Sequence, residues 1–178
     1  MPSSIVNKIC GLLENEGIEY MVTGGYACRI YTAGGPESDV DIVLNLTQNN
    51  TQKFGSVVYS IFGFNPLYAI EEFEAKGRCD TPDKDSGTII HFINRKDSEY
   101  RITEFNRRRK IESRDLKVWL VSIEDLIISK FIKIQEDRID EQIEDIQNLL
   151  DNPQADYYYI QHWCSKLNLN TFGLLDYE

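Results

Sequence analysis

Asp39 and Asp41 are separated by one residue at the head of the run Asp39-Val-Asp-Ile-Val-Leu44. Side chains on a strand alternate between faces, so the two carboxylates point one way while Val40, Ile42 and Leu44 point the other way into a core. Two like charges side by side at the mouth of an apolar strand cost energy unless something cationic sits between them. A divalent metal with oxygen ligands is the usual cation. Upstream, Tyr20-Met-Val-Thr-Gly-Gly-Tyr-Ala-Cys-Arg29 reads as a strand, a tight turn at Gly24-Gly25 and a short helix, and Gly34-Gly35-Pro36 breaks that helix before the aspartate strand.

The elements that must position these residues follow from spacing. Ser3 or Ser4 caps a first helix carrying Ile5, Ile9, Leu12 and Leu13, stopped at Gly17. Strands are expected over 18–23 and 37–46, with a helix over 26–32 between them. Two helices follow, one ending near Gly63 and one opened by Asn65-Pro66 and stopped at Gly77. Residues 79–87 read as a polar loop. Thr88–Asn94 and Glu99–Asn106 are β-rich and read as a hairpin, and Arg107–Asp115 as a charged connection. Leu116–Val121 is a last strand, with Ser122 and Asp125 marking the start of a long helix. Helices over 139–150, 156–166 and 171–177 close the chain. The order predicts an α+β fold, a small mixed β-sheet backed by helices with a C-terminal helical extension. It divides into an α/β core over 1–122 and a helical region packed on it over 123–178.

The 178 residues suit one domain with an appendage, and 42% hydrophobic residues suffice for a core. No apolar run approaches the ~20 residues that span a bilayer, so no membrane partner is expected. No leader-like segment is recognisable. Cys10, Cys28, Cys79 and Cys164 form no Cys-x-x-Cys pair, which points to reduced thiols in a cytoplasmic protein rather than to structural zinc. The net charge of -10 opposes sequence-independent binding to nucleic acid. It is uneven: residues 95–117 carry nine basic against five acidic side chains, and residues 123–178 four against twelve. Both segments read first as solvated faces, with the acidic C-terminal helices as a possible contact surface for a protein partner.

Gly24-Gly25 followed by Ser38-Asp39-Val40-Asp41 resembles the signature of the DNA polymerase β-type nucleotidyltransferase superfamily. Val121-Ser-Ile-Glu-Asp-Leu-Ile-Ile-Ser-Lys130, followed by Asp140–Leu150, is similar to the tail of small bacterial stand-alone nucleotidyltransferases of the abortive-infection-toxin type. The resemblance implies that Asp39 and Asp41 bind Mg²⁺, and that Gly24, Gly25, Ser38 and Lys130 meet the triphosphate of a nucleoside triphosphate. The physics agrees. Transfer at an α-phosphate builds charge on phosphate oxygens, which divalent ions held by carboxylates offset, and a glycine turn lets N–H groups at a helix start approach phosphate.

The resemblance also implies a third carboxylate on a later strand. The matching run, Tyr100-Arg-Ile-Thr-Glu-Phe105, sets Thr103 at that position and Glu104 beside it. A slip of one residue reverses the face of a strand side chain, so Glu104 joins the catalytic and metal set only through a bulge or another register. Without it the site has two carboxylates and a threonine, and weak metal binding. Arg107-Arg-Arg-Lys110 reads mainly as a solvated connection, Tyr157-Tyr-Tyr159 as packing, and His91 and His162 as structural. Three functions remain open: nucleotidyl transfer to an acceptor hydroxyl of RNA, protein or a small molecule; a catalytically degenerate binding module, for example a toxin–antitoxin component; and an antibiotic nucleotidyltransferase, for which an acidic cleft suits a cationic drug.

Overall fold

The computed structural model describes residues 2–34, 39–136 and 140–176. In chain order these form α1 (Pro2–Asn15), β1 (Tyr20–Thr23), α2 (Gly24–Thr32), β2 (Val40–Leu44), α3 (Thr51–Phe62), α4 (Pro66–Lys76), β3 (Arg78–Pro82), β4 (Ile89–Asn94), α5 (Glu99–Asn106), β5 (Arg109–Glu112), β6 (Lys117–Leu120), α6 (Ile123–Glu136), α7 (Asp140–Leu150) and α8 (Tyr157–Lys166). The strands make one sheet in the order β3-β4-β2-β1-β6-β5. β2 runs parallel to β4 and β1 parallel to β6, and the other pairs are antiparallel. The fold is α+β with a mixed sheet.

One face of the sheet is apolar because the inward positions of β2 and β4 are Val40, Ile42, Leu44, Ile90 and Phe92, all fully buried. Helices α3 and α4 close over that face. Phe54 meets Phe92 at 5.3 Å and Phe73 at 5.0 Å between ring centroids, edge-on or tilted as aromatic pairs prefer. Each of these helices ends where its sequence says it should: Gly63 and Gly77 take left-handed conformations, and the Asn65 side chain accepts the Leu67 N–H ahead of Pro66. On the opposite face α2 lies against β1 and β2, and α6 and α7 lie against α2. Outward positions of β2 and β4 (Asp41, Val43, His91 and Ile93) are only partly covered.

Four expectations are corrected. Glu99–Asn106 is a helix, not the second strand of a hairpin; Ser98 caps it by accepting the Arg101 N–H, and Tyr100, Glu104 and Phe105 form its buried face. The antiparallel partner of β4 is instead β3, drawn from the supposed loop 79–87. The charged connection contains β5, zipped to β6. Residues 172–175 are turns rather than a closing helix. Both missed strands are sheet edges, where one side of the backbone meets solvent and polar side chains are tolerated.

Candidate functional site

β1 passes into α2 with no intervening loop. Gly24 permits this at φ +70°, and a Cβ there would land on the Asp41 carboxylate. Thr23 stands at the helix N-cap without a side-chain cap bond, and it pairs with Asp41 across β1 and β2. The positive end of α2 is thereby brought beside Asp41, a placement that favours anions. The Tyr31 hydroxyl donates to the Val121 carbonyl at 2.7 Å and pins the far end of α2.

Asp39 and Asp41 differ in how well they are satisfied. Asp39 Oδ1 accepts the Ile89 N–H at 2.9 Å, and Oδ2 lies 3.6 Å from His91 Nε2. Asp41 is half-buried, and its carboxylate has no hydrogen-bond or ion-pair partner among the described residues. Burial pushes its pKa up, outweighing the more distant pull of His91, Lys133 and Arg78, and Asp39 pushes the same way.

The neighbour of this pair is His91, which its sequence context marks only as structural. β4 runs parallel to β2 with His91 opposite Asp41. His91 Nδ1 lies 2.8 Å from Asp80 Oδ1 and 2.7 Å from Arg78 Nη2, while Arg78 Nε donates to the same Asp80 oxygen at 2.6 Å. One nitrogen does not serve both partners at once: with a proton on Nδ1 it donates to Asp80, and without one it accepts from Arg78. Burial raises the Asp80 pKa, but hydrogen bonds from Arg78 and His91 outweigh it, and the net direction is down. The signal in the sequence was Ile90-His91-Phe92, a lone polar side chain alternating with core residues.

Glu104 is placed elsewhere. Its carboxylate is buried on α5, held by Arg101 at 2.8 and 2.9 Å and by the Ser129 hydroxyl of α6 at 2.6 Å. Burial raises its pKa despite these partners. Thr103, the other residue of the expected register, bonds its own helix at the Glu99 carbonyl. Neither lies on a strand beside the aspartates. Lys130 is buried and donates to Asp145 at 2.6 Å and Gln142 at 3.1 Å, tying α6 to α7. Lys133, one turn further along α6, is the lysine whose charge acts on Asp41. Gly25 lies in the first turn of α2. Ser38 falls outside the described residues.

The basic run is paired within the fold. Arg107 donates to Asp125 at 3.0 Å and Glu124 at 3.2 Å and stacks 3.8 Å from the Tyr159 ring. Arg108 donates to Glu19 at 2.9 Å, and Arg109 lies 3.7 Å from Glu124. Tyr159 thus serves packing, as expected. The acidic C-terminal segment also spends Glu124, Asp125 and Asp145 internally.

Among the described residues no three His, Cys, Asp or Glu side chains are gathered as a ready metal cage. Two carboxylates do suit one Mg²⁺, which commonly takes one or two protein carboxylates and completes its shell with phosphate oxygens and water. Asp41, without a hydrogen-bond or ion-pair partner among the described residues, fits such a group.

No protein-family model and no curated protein matches the sequence. Solved structures do. The solution structure of the antibiotic-resistance factor ANT(2'')-Ia has a TM-score of 0.56 at 13% identity, over 94% of this chain and 93% of that one. The crystal structure of ANT(2'')-Ia with adenylyl-2''-tobramycin gives 0.57 at 13%, over 94% and 97%. An antigenic nucleotidyltransferase-like protein from Paracoccidioides brasiliensis gives 0.53 at 14%, over 97% and 91%. The chain has the nucleotidyltransferase fold. Within that fold, β1, the glycine turn, α2 and β2 are the elements that converge on Asp41. No described helix is long and apolar enough to cross a membrane.

Proposed function

We propose that this chain transfers a nucleotidyl group from a nucleoside triphosphate to an acceptor hydroxyl, at Asp39, Asp41 and the start of α2. The observation that carries the reading is the Asp41 carboxylate, half-buried against a glycine turn and without a hydrogen-bond or ion-pair partner among the described residues. First-turn N–H groups of α2 donate to the triphosphate, and the missing Cβ of Gly24 lets the Asp41 carboxylate lie against that turn. The Ile89 N–H holds Asp39 in orientation. Asp39 and Asp41 would hold Mg²⁺, which would supply Lewis-acid charge to the phosphate oxygens. The acceptor oxygen bonds to the α-phosphorus, the bond to the bridging oxygen of pyrophosphate breaks, and the hydroxyl proton is released.

Two further readings have specific support. Structures of an antibiotic-resistance factor, one of them in complex with adenylyl-2''-tobramycin, share the fold, so an antibiotic hydroxyl is as well supported an acceptor as RNA or protein. The third carboxylate expected at Glu104 lies on α5, bound to Arg101 and Ser129, and an imidazole, His91, stands beside the aspartates; this favours a degenerate binding module, for example a toxin–antitoxin component.

The test is calorimetry of ATP, GTP, CTP and UTP with Mg²⁺ on wild type and on the Asp39→Ala/Asp41→Ala chain. It is followed by labelled-triphosphate transfer to RNA, protein and an aminoglycoside. Metal-dependent binding that vanishes in the double variant is expected, and label then identifies the acceptor. Binding without transfer to any acceptor favours the degenerate module. No triphosphate binding by wild type refutes the reading.

A further inference from the structure

We infer that Lys133, and not the motif lysine Lys130, is the side chain that meets the β- and γ-phosphates of the triphosphate and steadies the leaving pyrophosphate. The inference rests on the nucleotidyl-transfer reading and adds a group to its site. α2 and α6 pass each other in opposite senses. The Tyr31 hydroxyl, near the end of α2, donates to the Val121 carbonyl just before α6 begins. One turn back along α2, the Cys28 thiol meets Asp145, which Lys130 of α6 holds at 2.6 Å. A further turn back along α2 is Gly24-Gly25, and one turn on from Lys130 along α6 is Lys133. The pairing of the two helices thus brings Lys133 to the start of α2, the end that favours anions. Its charge is felt there, at Asp41.

Lys133 also differs from the other cations near the aspartates in being exposed and uncommitted. Lys130 is buried and spends its ammonium on Asp145 and Gln142. Arg78 is held by Asp80 at 2.6 Å. Lys133 is exposed and makes no hydrogen bond or ion pair with any described residue. Asp137 and Arg138, four and five residues further on, lie outside the described residues. An ion pair at i,i+4 on an exposed helix face is in any case weak beside the charge of a triphosphate. An ammonium on a flexible stem meets phosphate as a mobile point charge. Placed on the β- and γ-phosphates, it offsets the charge that gathers on pyrophosphate as the bond to the α-phosphorus breaks.

Calorimetry on the full chain, with Mg²⁺ and the α,β-methylene analogues of ATP, GTP, CTP and UTP, sets the reference affinity. For the analogue that binds most tightly, Lys133→Gln is expected to raise Kd on the order of tenfold, Lys133→Arg to restore it to within about threefold, and Lys130→Met to leave it within about twofold. Urea unfolding of Lys133→Gln should match wild type, because the side chain is exposed. A second measurement uses the wild-type chain and the nucleoside triphosphopyridoxal of the same base. Its aldehyde, at the far end of the phosphate chain, condenses with a lysine amine with loss of water, borohydride reduces the imine, and mass spectrometry locates the label. Label on Lys133 is expected. Label on Lys130 or elsewhere but not on Lys133, or a Lys133→Gln chain that binds the analogue as wild type does, overturns the inference. If wild type binds none of the analogues, the underlying nucleotidyl-transfer reading falls; if binding survives the loss of Lys133, only the assignment of Lys133 does.

Discussion

Replacing Asp41 by asparagine should make the metal-free protein more stable while removing its metal-dependent nucleotide binding. The carboxylate is half-buried and has no hydrogen-bond or ion-pair partner among the described residues, and its pKa is raised, chiefly by burial. A carboxyl whose folded pKa exceeds its unfolded value is penalised in the fold when charged. That penalty is absent when the group is protonated and appears as pH rises through the folded pKa. Asparagine keeps the shape and a carbonyl acceptor but never ionises. The expected gain at neutral pH is about 1 kcal/mol, the low end for a desolvated group without a partner, because Lys133, His91 and Arg78 offset part of the cost. For a chain of this size that is about 2–4 °C in Tm. The gain should shrink as pH falls towards the ordinary carboxyl value of 3.8.

The assay is thermal and urea unfolding in EDTA at neutral pH and near about pH 4, then with Mg²⁺ and triphosphate. Ligand stabilises only the form that binds it, so wild type should overtake the variant once both are added. Asp39→Asn is the control: Asp39 already accepts the Ile89 N–H, which an asparagine oxygen can also do, so its metal-free stability should barely change. An Asp41→Asn protein that melts below wild type in EDTA at neutral pH would refute the account, because the carboxylate would then be stabilising the fold rather than waiting for a cation.

Gly24→Ala puts a Cβ onto the Asp41 carboxylate at positive φ and should cost about 2 kcal/mol or more, whereas Gly63→Ala, at a similar φ with open space around it, should cost about 1 kcal/mol; paired urea melts read both. Asp125 is fully buried among the Ser122 and Tyr159 hydroxyls and the Arg107 guanidinium, so Asp125→Ala should cost about 3–5 kcal/mol in urea unfolding. Lys130→Met breaks a pair whose Asp145 side chain is 30% exposed and so can rehydrate. It should cost about 1 kcal/mol and leave nucleotide Kd within about twofold, while a tenfold loss by calorimetry would return Lys130 to the triphosphate.

What the sequence made legible depended on burial. β2 could be read because Val40, Ile42 and Leu44 alternate cleanly with half-covered positions. The α4 start could be read from Asn65-Pro66, whose cap chemistry is local. α5 misled because Tyr100 and Ile102 alternate like a strand over a few residues. Its helical face, Tyr100 with Glu104 and Phe105, becomes visible only when Glu104 is allowed to be buried, and that requires Arg101 and the distant Ser129. β5 buries almost nothing outside its pairing, and β3 buries only Cys79 and Thr81, so Arg-Lys-Ile-Glu and Arg-Cys-Asp-Thr-Pro carry no stripe of large apolar side chains to find.

The same distinction separates the two motifs that suggested a function. Gly24 and the aspartate pair lie within one short β-α-β unit, and their geometry follows from local rules: a turn that excludes Cβ, and a strand whose alternate residues share a face. The downstream run Glu124-Asp125-Leu126 through Lys130 contributes framework instead. Asp125 caps α6 through Ser122 and anchors Arg107 and Tyr159, and Lys130 locks α7 through Asp145. These buried charges brace α6 and α7, which lie against α2, the helix whose N-terminus faces Asp41. Substitutions at the fully buried Asp125 should therefore act first on stability, through the packing of α6 against α2. His91 belongs to neither class. Its position opposite Asp41 is created by pairing β4 with β2 across the intervening α3, α4 and β3, and no local pattern in the chain encodes that partner.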